Sequence, residues 1–210
     1  MCICICICIC TCICIVACVC VCMCMYICIS CICICLCRLV RRCQGFCKLV
    51  YSIRTIPSPF IVEELASFDA VMRSAFVGLS GINVSDDQWS QAGRGFWCGG
   101  LGLRHTARRA SAAYVASCTA TRKLCQQLGP GFQWDGNSPG RPLLESITSL
   151  NAGLHPTDRV AYDPEQVPRQ QDLFMRLDMV QHEAYLESLS PDDRASLLSE
   201  MLPGASGFLE

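Results

Sequence analysis

From about residue 60 onward the apolar positions of the chain recur at helical spacing. Leu65, Phe68, Met72, Ala75, Phe76 and Leu79 return every three or four residues and predict a helix over 60–78, which Gly81 stops. Ser85 with Gln88 three positions on is a capping-box pattern, opening a short helix through Trp89. Thr106 to Leu128 contains alanines and neither glycine nor proline, the composition of a good helix. Projected at about 100° per residue, Ala107, Ala110, Tyr114, Ser117, Thr121, Cys125 and Leu128 share one side of it. Arg104, Arg108, Arg122 and Lys123 share the other. Leu143 to Leu150 suits one or two helical turns, and 169–189 is amphipathic, with Leu173, Leu177, Val180 and Ala184 on one stripe. Ser190-Pro191-Asp192-Asp193 then starts a last helix to about Met201: a cap, a proline at the first position and acids facing the dipole. Trp89, Phe96 and Trp97 are expected in the core, as are Cys118 and Cys125. The fold class is therefore mainly α, a small helical bundle with further helices behind it.

The organising stretch is Gly99-Gly100-Leu101-Gly102-Leu103-Arg104, just ahead of the 106–128 helix. Gly99, Gly100 and Gly102 permit positive φ and close approach of another segment. Leu101 and Leu103, one residue apart, can bury on the same side of a short extended run.

The first 37 residues follow a different rule. Cys-Ile alternation drifts into Cys-Val and Cys-Met, placing 16 of the 21 cysteines in a stretch with no charge. A disulfide framework fails there, because alternating neighbours offer no unique pairing. Thiolate metal binding has Cys-x-Cys spacing in its favour and only large apolar residues between the cysteines against it. A membrane span has the length, with Arg38, Arg41, Arg42 and Lys48 favouring a cytosolic C-terminal side. A translated purine–pyrimidine repeat accounts for the drift itself, and an apolar repeat would still partition into lipid. No secretory cleavage pattern is present. Residues 38–59 are expected to be a basic linker, with the domain boundary at the rigid Pro57-Ser58-Pro59 break. The expected divisions are thus 1–37, 38–59, a helical region 60–128, an irregular connector 129–168 and a helical C-terminal region 169–210.

A net charge of −1 hides an uneven distribution. From Gln88 to Trp134 there is no acid, while Arg94, Arg104, Arg108, Arg109, Arg122 and Lys123 are all cationic. Such a face is either simply solvated or tracks phosphates by charge and counterion release. No catalytic set emerges. Asp86-Asp87 and Asp192-Asp193 both fall in helix first turns, and His105, His155 and His182 lack zinc-helix spacing. Gly99 to Gly102 is neither a dinucleotide fingerprint nor a phosphate loop. No cofactor, metal or small-molecule substrate is indicated.

Several blocks in order resemble one family: Glu63-Glu64-Leu65-Ala66-Ser67-Phe68-Asp69, Asp86-Asp87-Gln88-Trp89-Ser90-Gln91-Ala92, Gly99 to Arg104, and Ala112-Ala113-Tyr114-Val115-Ala116-Ser117. Leu189 to Ser199 and Pro203 to Leu209 continue the likeness, which spans residues 60–210. The stretch is similar to the region just after the polymerase palm in reverse transcriptases of non-LTR (LINE-type) retrotransposons. The family's Leu-Pro pair ahead of the glycines is replaced here by Arg94 and Gly95. The resemblance implies the thumb and connector of the polymerase, clipped at both ends and without the catalytic aspartates, so no enzyme activity is expected. It implies weak binding of an RNA–DNA or other duplex, with Arg104, Arg108, Arg122 and Lys123 facing phosphates. The location would be nuclear or cytoplasmic. The alternative is a single-pass membrane protein, anchored through residues 1–37, with a small helical cytosolic interaction domain.

Overall fold

The computed structural model describes residues 46–129, 131, 141–161 and 168–202. The span and metal-thiolate readings of residues 1–37 lie outside these. Among the described residues the chain is helical, without strands: α1 (Phe46–Thr55), α2 (Val62–Ser80), α3 (Asp86–Ala92), α4 (Thr106–Leu128), α5 (Pro142–Ala152), α6 (Gln170–Ser188) and α7 (Pro191–Glu200). Short 3-10 turns stand at Ser58–Phe60, Phe96–Cys98 and Pro156–Asp158. No helix among the described residues is long and apolar enough to cross a membrane.

α4 is the axis of the fold, packed by α1, α2, α5 and α6. Its first half is covered on most sides, with Thr106, Arg109, Ala110, Ser111, Ala112, Ala113, Val115 and Ala116 all buried and Arg108 left exposed. The reason is size: alanine and serine project little, so neighbouring helices approach closely from several directions. The second half emerges into solvent, and Leu124 and Leu128 are 53% and 78% exposed. The two-sided division expected along the helix is therefore a division between its halves.

Around α4 lies the main core, built from Ile53, Leu65, Ile147, Leu150, Leu154, Val160, Leu173, Phe174 and Leu177 with the α4 residues. Ile53, Ile147 and Leu173 are fully covered, each worth about 1.5–3 kcal/mol relative to exposure. Hydroxyls inside it are satisfied in a chain: Ser58 Oγ lies 2.8 Å from Ser111 Oγ and 3.3 Å from Ser146 Oγ, and Ser111 donates to Ser149. A smaller core joins Phe76, Trp89, Ala92 and Leu103, with Met72, Val84 and Leu101 against it.

Several expectations need correction. Residues 46–55, taken as linker, form α1, and its Ile53 is buried on α4. The Pro57-Ser58-Pro59 break turns the chain within one packed unit, since Ser58 is itself buried. Within the connector, the one or two helical turns expected at Leu143 to Leu150 are present and extend to the 11 residues of α5. The stripe of α6 buries Leu173 and Leu177 as expected and is wider, taking in Phe174, Asp178 and His182 as well, while Ala184 is exposed. Trp97 is 41% exposed and Leu79 50%. Cys118 and Cys125 are only half-buried, whereas Cys98 is completely covered.

Candidate nucleic-acid interface

The start of α4 is fixed by two devices. One is a cap from outside the helix. His105, at the capping position, makes no cap bond through its side chain, and Asp69 of α2 takes over. Its Oδ1 accepts from the Thr106 backbone N–H and hydroxyl, both at 2.8 Å, and its Oδ2 accepts from the Ala107 N–H at 3.1 Å. Three donors at the positive end of a helix dipole thus converge on one carboxylate.

The other device is the glycine turn. Gly99 and Gly102 have φ of 67° and 69°. Gly100 matters by proximity: a Cβ there would lie 2.3 Å from the Arg94 carbonyl oxygen and 2.7 Å from that of Gln91. The turn wraps the end of α3 through Gly102 N–H to Arg94 O (2.9 Å), Leu101 N–H to Ala92 O (3.1 Å) and Leu103 N–H to Ala92 O (3.1 Å). Gln91 Nε2 donates to the carbonyls of Cys98 and Gly99. Leu101 and Leu103 both join the smaller core, as their spacing predicted.

The six cations of the acid-free run divide by direction. Arg94 and Arg109 turn inward, 3% and 4% exposed. Arg109 pairs with buried Asp178 of α6 and stacks 5.0 Å over Phe174. Asp178 Oδ2 also accepts from the Gly95 N–H at 3.3 Å. Arg94 has neutral partners, the Gln91 amide and the Tyr185 ring at 4.5 Å. Burial lowers the pKa of both guanidinium groups. It pushes the Cys98 thiol up to about 12, with the Asp178 charge adding to the effect. His105 packs edge-on against Trp89, and burial followed by the charge of Arg108 lowers its pKa.

Arg104 and Arg108 lie near the beginning of α4. Arg104 is half-buried with its guanidinium 5.5 Å over Phe174, and Arg108 is exposed, donating to Ser90 Oγ and Gln181 Oε1. Arg122 and Lys123 lie in the solvent-facing half, and from Arg108 to Arg122 the helix rises about 21 Å. The predicted four therefore form two groups, Arg104 just ahead of α4 with Arg108 in its first turn, and Arg122 with Lys123 towards its end. Arg122 and Lys123 line an open cleft of about 980 Å³, and Arg54 of α1 and Arg169 at the start of α6 line it with them. Neither Arg54 nor Arg169 was anticipated. Only the packing of α1 and α6 around α4 brings these distant positions together.

Asp86-Asp87 and Asp192-Asp193 stand in helix first turns behind the caps Ser85 and Ser190, as expected. Among the described residues no group of three or more His, Cys, Asp or Glu is placed to hold a metal. Comparison with protein-family models, curated proteins and solved structures finds no match to this chain.

Proposed function

We propose that the helical region is a thumb-and-connector unit related to LINE-type reverse transcriptases, and that it binds nucleic-acid duplex weakly and without sequence preference. The observation that supports this is α4 itself, a 23-residue rod without an acid. Arg108 and Lys123 are exposed on it, and among the described residues Arg104, Arg108 and Lys123 enter no ion pair. A rod carrying cations about 21 Å apart matches roughly six steps of a strand whose phosphates rise about 3.4 Å each. Contacts of this kind position a duplex and carry no base information. Catalysis is not part of the proposal: both Asp-Asp pairs are accounted for by helix starts.

The test is a salt titration of duplex binding by the full chain, with Arg104, Arg108, Arg122 and Lys123 together changed to alanine in the comparison protein. The parent should give a log K against log[salt] slope of about −2 to −4. A four-alanine variant that binds duplex as well as the parent at low salt would refute the proposal.

A further inference from the structure

We infer that the cleft lined by Arg54, Arg122, Lys123 and Arg169 takes the phosphate backbone of a single nucleic-acid strand, sharing Arg122 and Lys123 with the duplex contact and adding Arg54 and Arg169. The inference rests on the nucleic-acid reading of α4 and extends it to a second ligand.

Three observations carry it. The first is charge: four cations from α1, α4 and the start of α6 line one cleft, and among the described residues no carboxylate lines it. One acid near it in sequence, Asp172, has its Oδ2 turned to the backbone N–H of Arg169 at 3.2 Å. The second is preorganisation. Arg54 Nε donates to Gln170 Oε1 at 2.7 Å, which ties the guanidinium across α1 and α6. Ordering that long side chain in advance lowers the entropy lost when an anion binds.

The third is what the walls lack. Among the described lining residues Ala116 and Ala120 are small, Pro168 is the largest apolar one, and none is aromatic. These residues offer an acyl chain or a hydrophobic peptide anchor little to bury against, and a base no ring to stack on. Thr119 and Thr121 direct their hydroxyl protons into α4, to Val115 O at 2.9 Å and Ser117 O at 3.0 Å. The charged groups among the described lining residues are all cations, with Ser117, Gln126 and Gln170 as neutral polar neighbours, a set that suits phosphates. A cleft is also concave, so a flexible strand enters it while the convex wall of a duplex meets only the rim.

The experiment is fluorescence anisotropy on the full chain, with an oligothymidine single strand and a hairpin duplex as separate probes. Arg54→Gln/Arg169→Gln should weaken the single strand about tenfold at low salt and reduce its salt slope by about 1.4, two cations at about 0.7 each. Duplex binding should stay within about twofold of the parent. Arg104→Gln/Arg108→Gln should show the reverse. Arg54→Lys/Arg169→Lys keeps the charge and should restore single-strand binding. The inference is overturned if the glutamine pair leaves the single strand unaffected, if it weakens both probes equally, or if the lysine pair fails to restore binding. Tighter binding to anionic phospholipid vesicles than to oligothymidine would also overturn it. If the cleft variant acts as expected and Arg104→Gln/Arg108→Gln leaves the duplex untouched, the duplex proposal fails while the cleft stands.

Discussion

Replacing Gly100 by alanine separates steric from conformational cost in the turn that introduces α4. The added Cβ would sit 2.3 Å from the Arg94 carbonyl oxygen, 2.6 Å from its carbon and 2.7 Å from the Gln91 carbonyl oxygen. Ordinary contact begins near 3.4 Å, so the turn and the end of α3 must separate by about an ångström. Both neighbours are backbone, and no side chain can rotate aside. The Arg94 carbonyl also accepts the Gly102 N–H at 2.9 Å. Losing that bond costs about 1 kcal/mol, and overpacking adds about 1–3 kcal/mol. The expected loss is therefore about 2–4 kcal/mol.

Two other glycines calibrate the measurement. Gly81 has φ +70° and open space around its Cβ position, so Gly81→Ala carries only the left-handed cost, about 1–2 kcal/mol. Gly78 lies inside α2 with nothing within 4 Å, and Gly78→Ala should stabilise by about 0.5–1 kcal/mol. Urea unfolding followed by helix circular dichroism and by the fluorescence of buried Trp89 reads all three. If Gly100→Ala costs no more than Gly81→Ala, the close approach does not exist in solution and the account of the turn is wrong.

Asp69→Ala strips three donors of their acceptor at the start of α4 and should cost about 2 kcal/mol in the same assay; a loss below about 0.5 kcal/mol would refute the cap. Asp178→Asn leaves the Arg109 guanidinium buried without its counter-charge and should cost about 3–5 kcal/mol, checked by the shift in urea midpoint. His105 and His182 both have lowered pKa values, mainly through burial. Below the unfolded value of about 6.5 the unfolded chain takes up protons that the folded one resists. Stability should therefore fall as pH drops from about 6.5 toward 5, ahead of most carboxylate titration. His105→Gln should flatten part of that fall, and a parent curve level over this range would refute the assignment.

Helices were the legible part of this fold, because spacing and caps are local. The range Thr106–Leu128 and the start at Ser190 are written in adjacent residues. α1 was not legible: it stands beside the cysteine tract and before two prolines, and what makes it part of the core is Ile53 meeting α4. The same holds for the cap on α4. His105 gives no local signal, and Asp69 acts from 37 residues away. Of the candidate site, the acid-free run could be read directly and its partition could not. Whether an arginine faces solvent depends on the carboxylate or ring that another element presents, as Asp178 does for Arg109 and Tyr185 for Arg94.

That partition explains how one helix serves as both core and cationic surface. The ion pair to Asp178 neutralises Arg109 where α4 is enclosed, and the outward cations are found near the ends of the enclosed half or beyond it. Arg94 sits at the less complete part of the arrangement. It is 3% exposed, with an amide and a ring as partners, and its Nε has no hydrogen-bond partner among the described residues. Arg109 Nη1 and His182 Nδ1 are in the same condition. The serines between α4, α5 and the Ser58 turn, by contrast, form a continuous hydrogen-bonded chain. A buried polar group without a partner costs free energy that the serine chain does not incur. The docking of α6 beside the glycine turn therefore carries unpartnered polar atoms alongside its ion pair, whereas the serines that join α4 to α5 and the Ser58 turn are all bonded. The cleft lies where α1 and α6 meet α4, with Arg54 on α1 and Arg169 at the start of α6. Its shape is consequently tied to how firmly α6 is held, which the bond from Arg54 to Gln170 and the edge contact of Phe46 with Phe174 both serve.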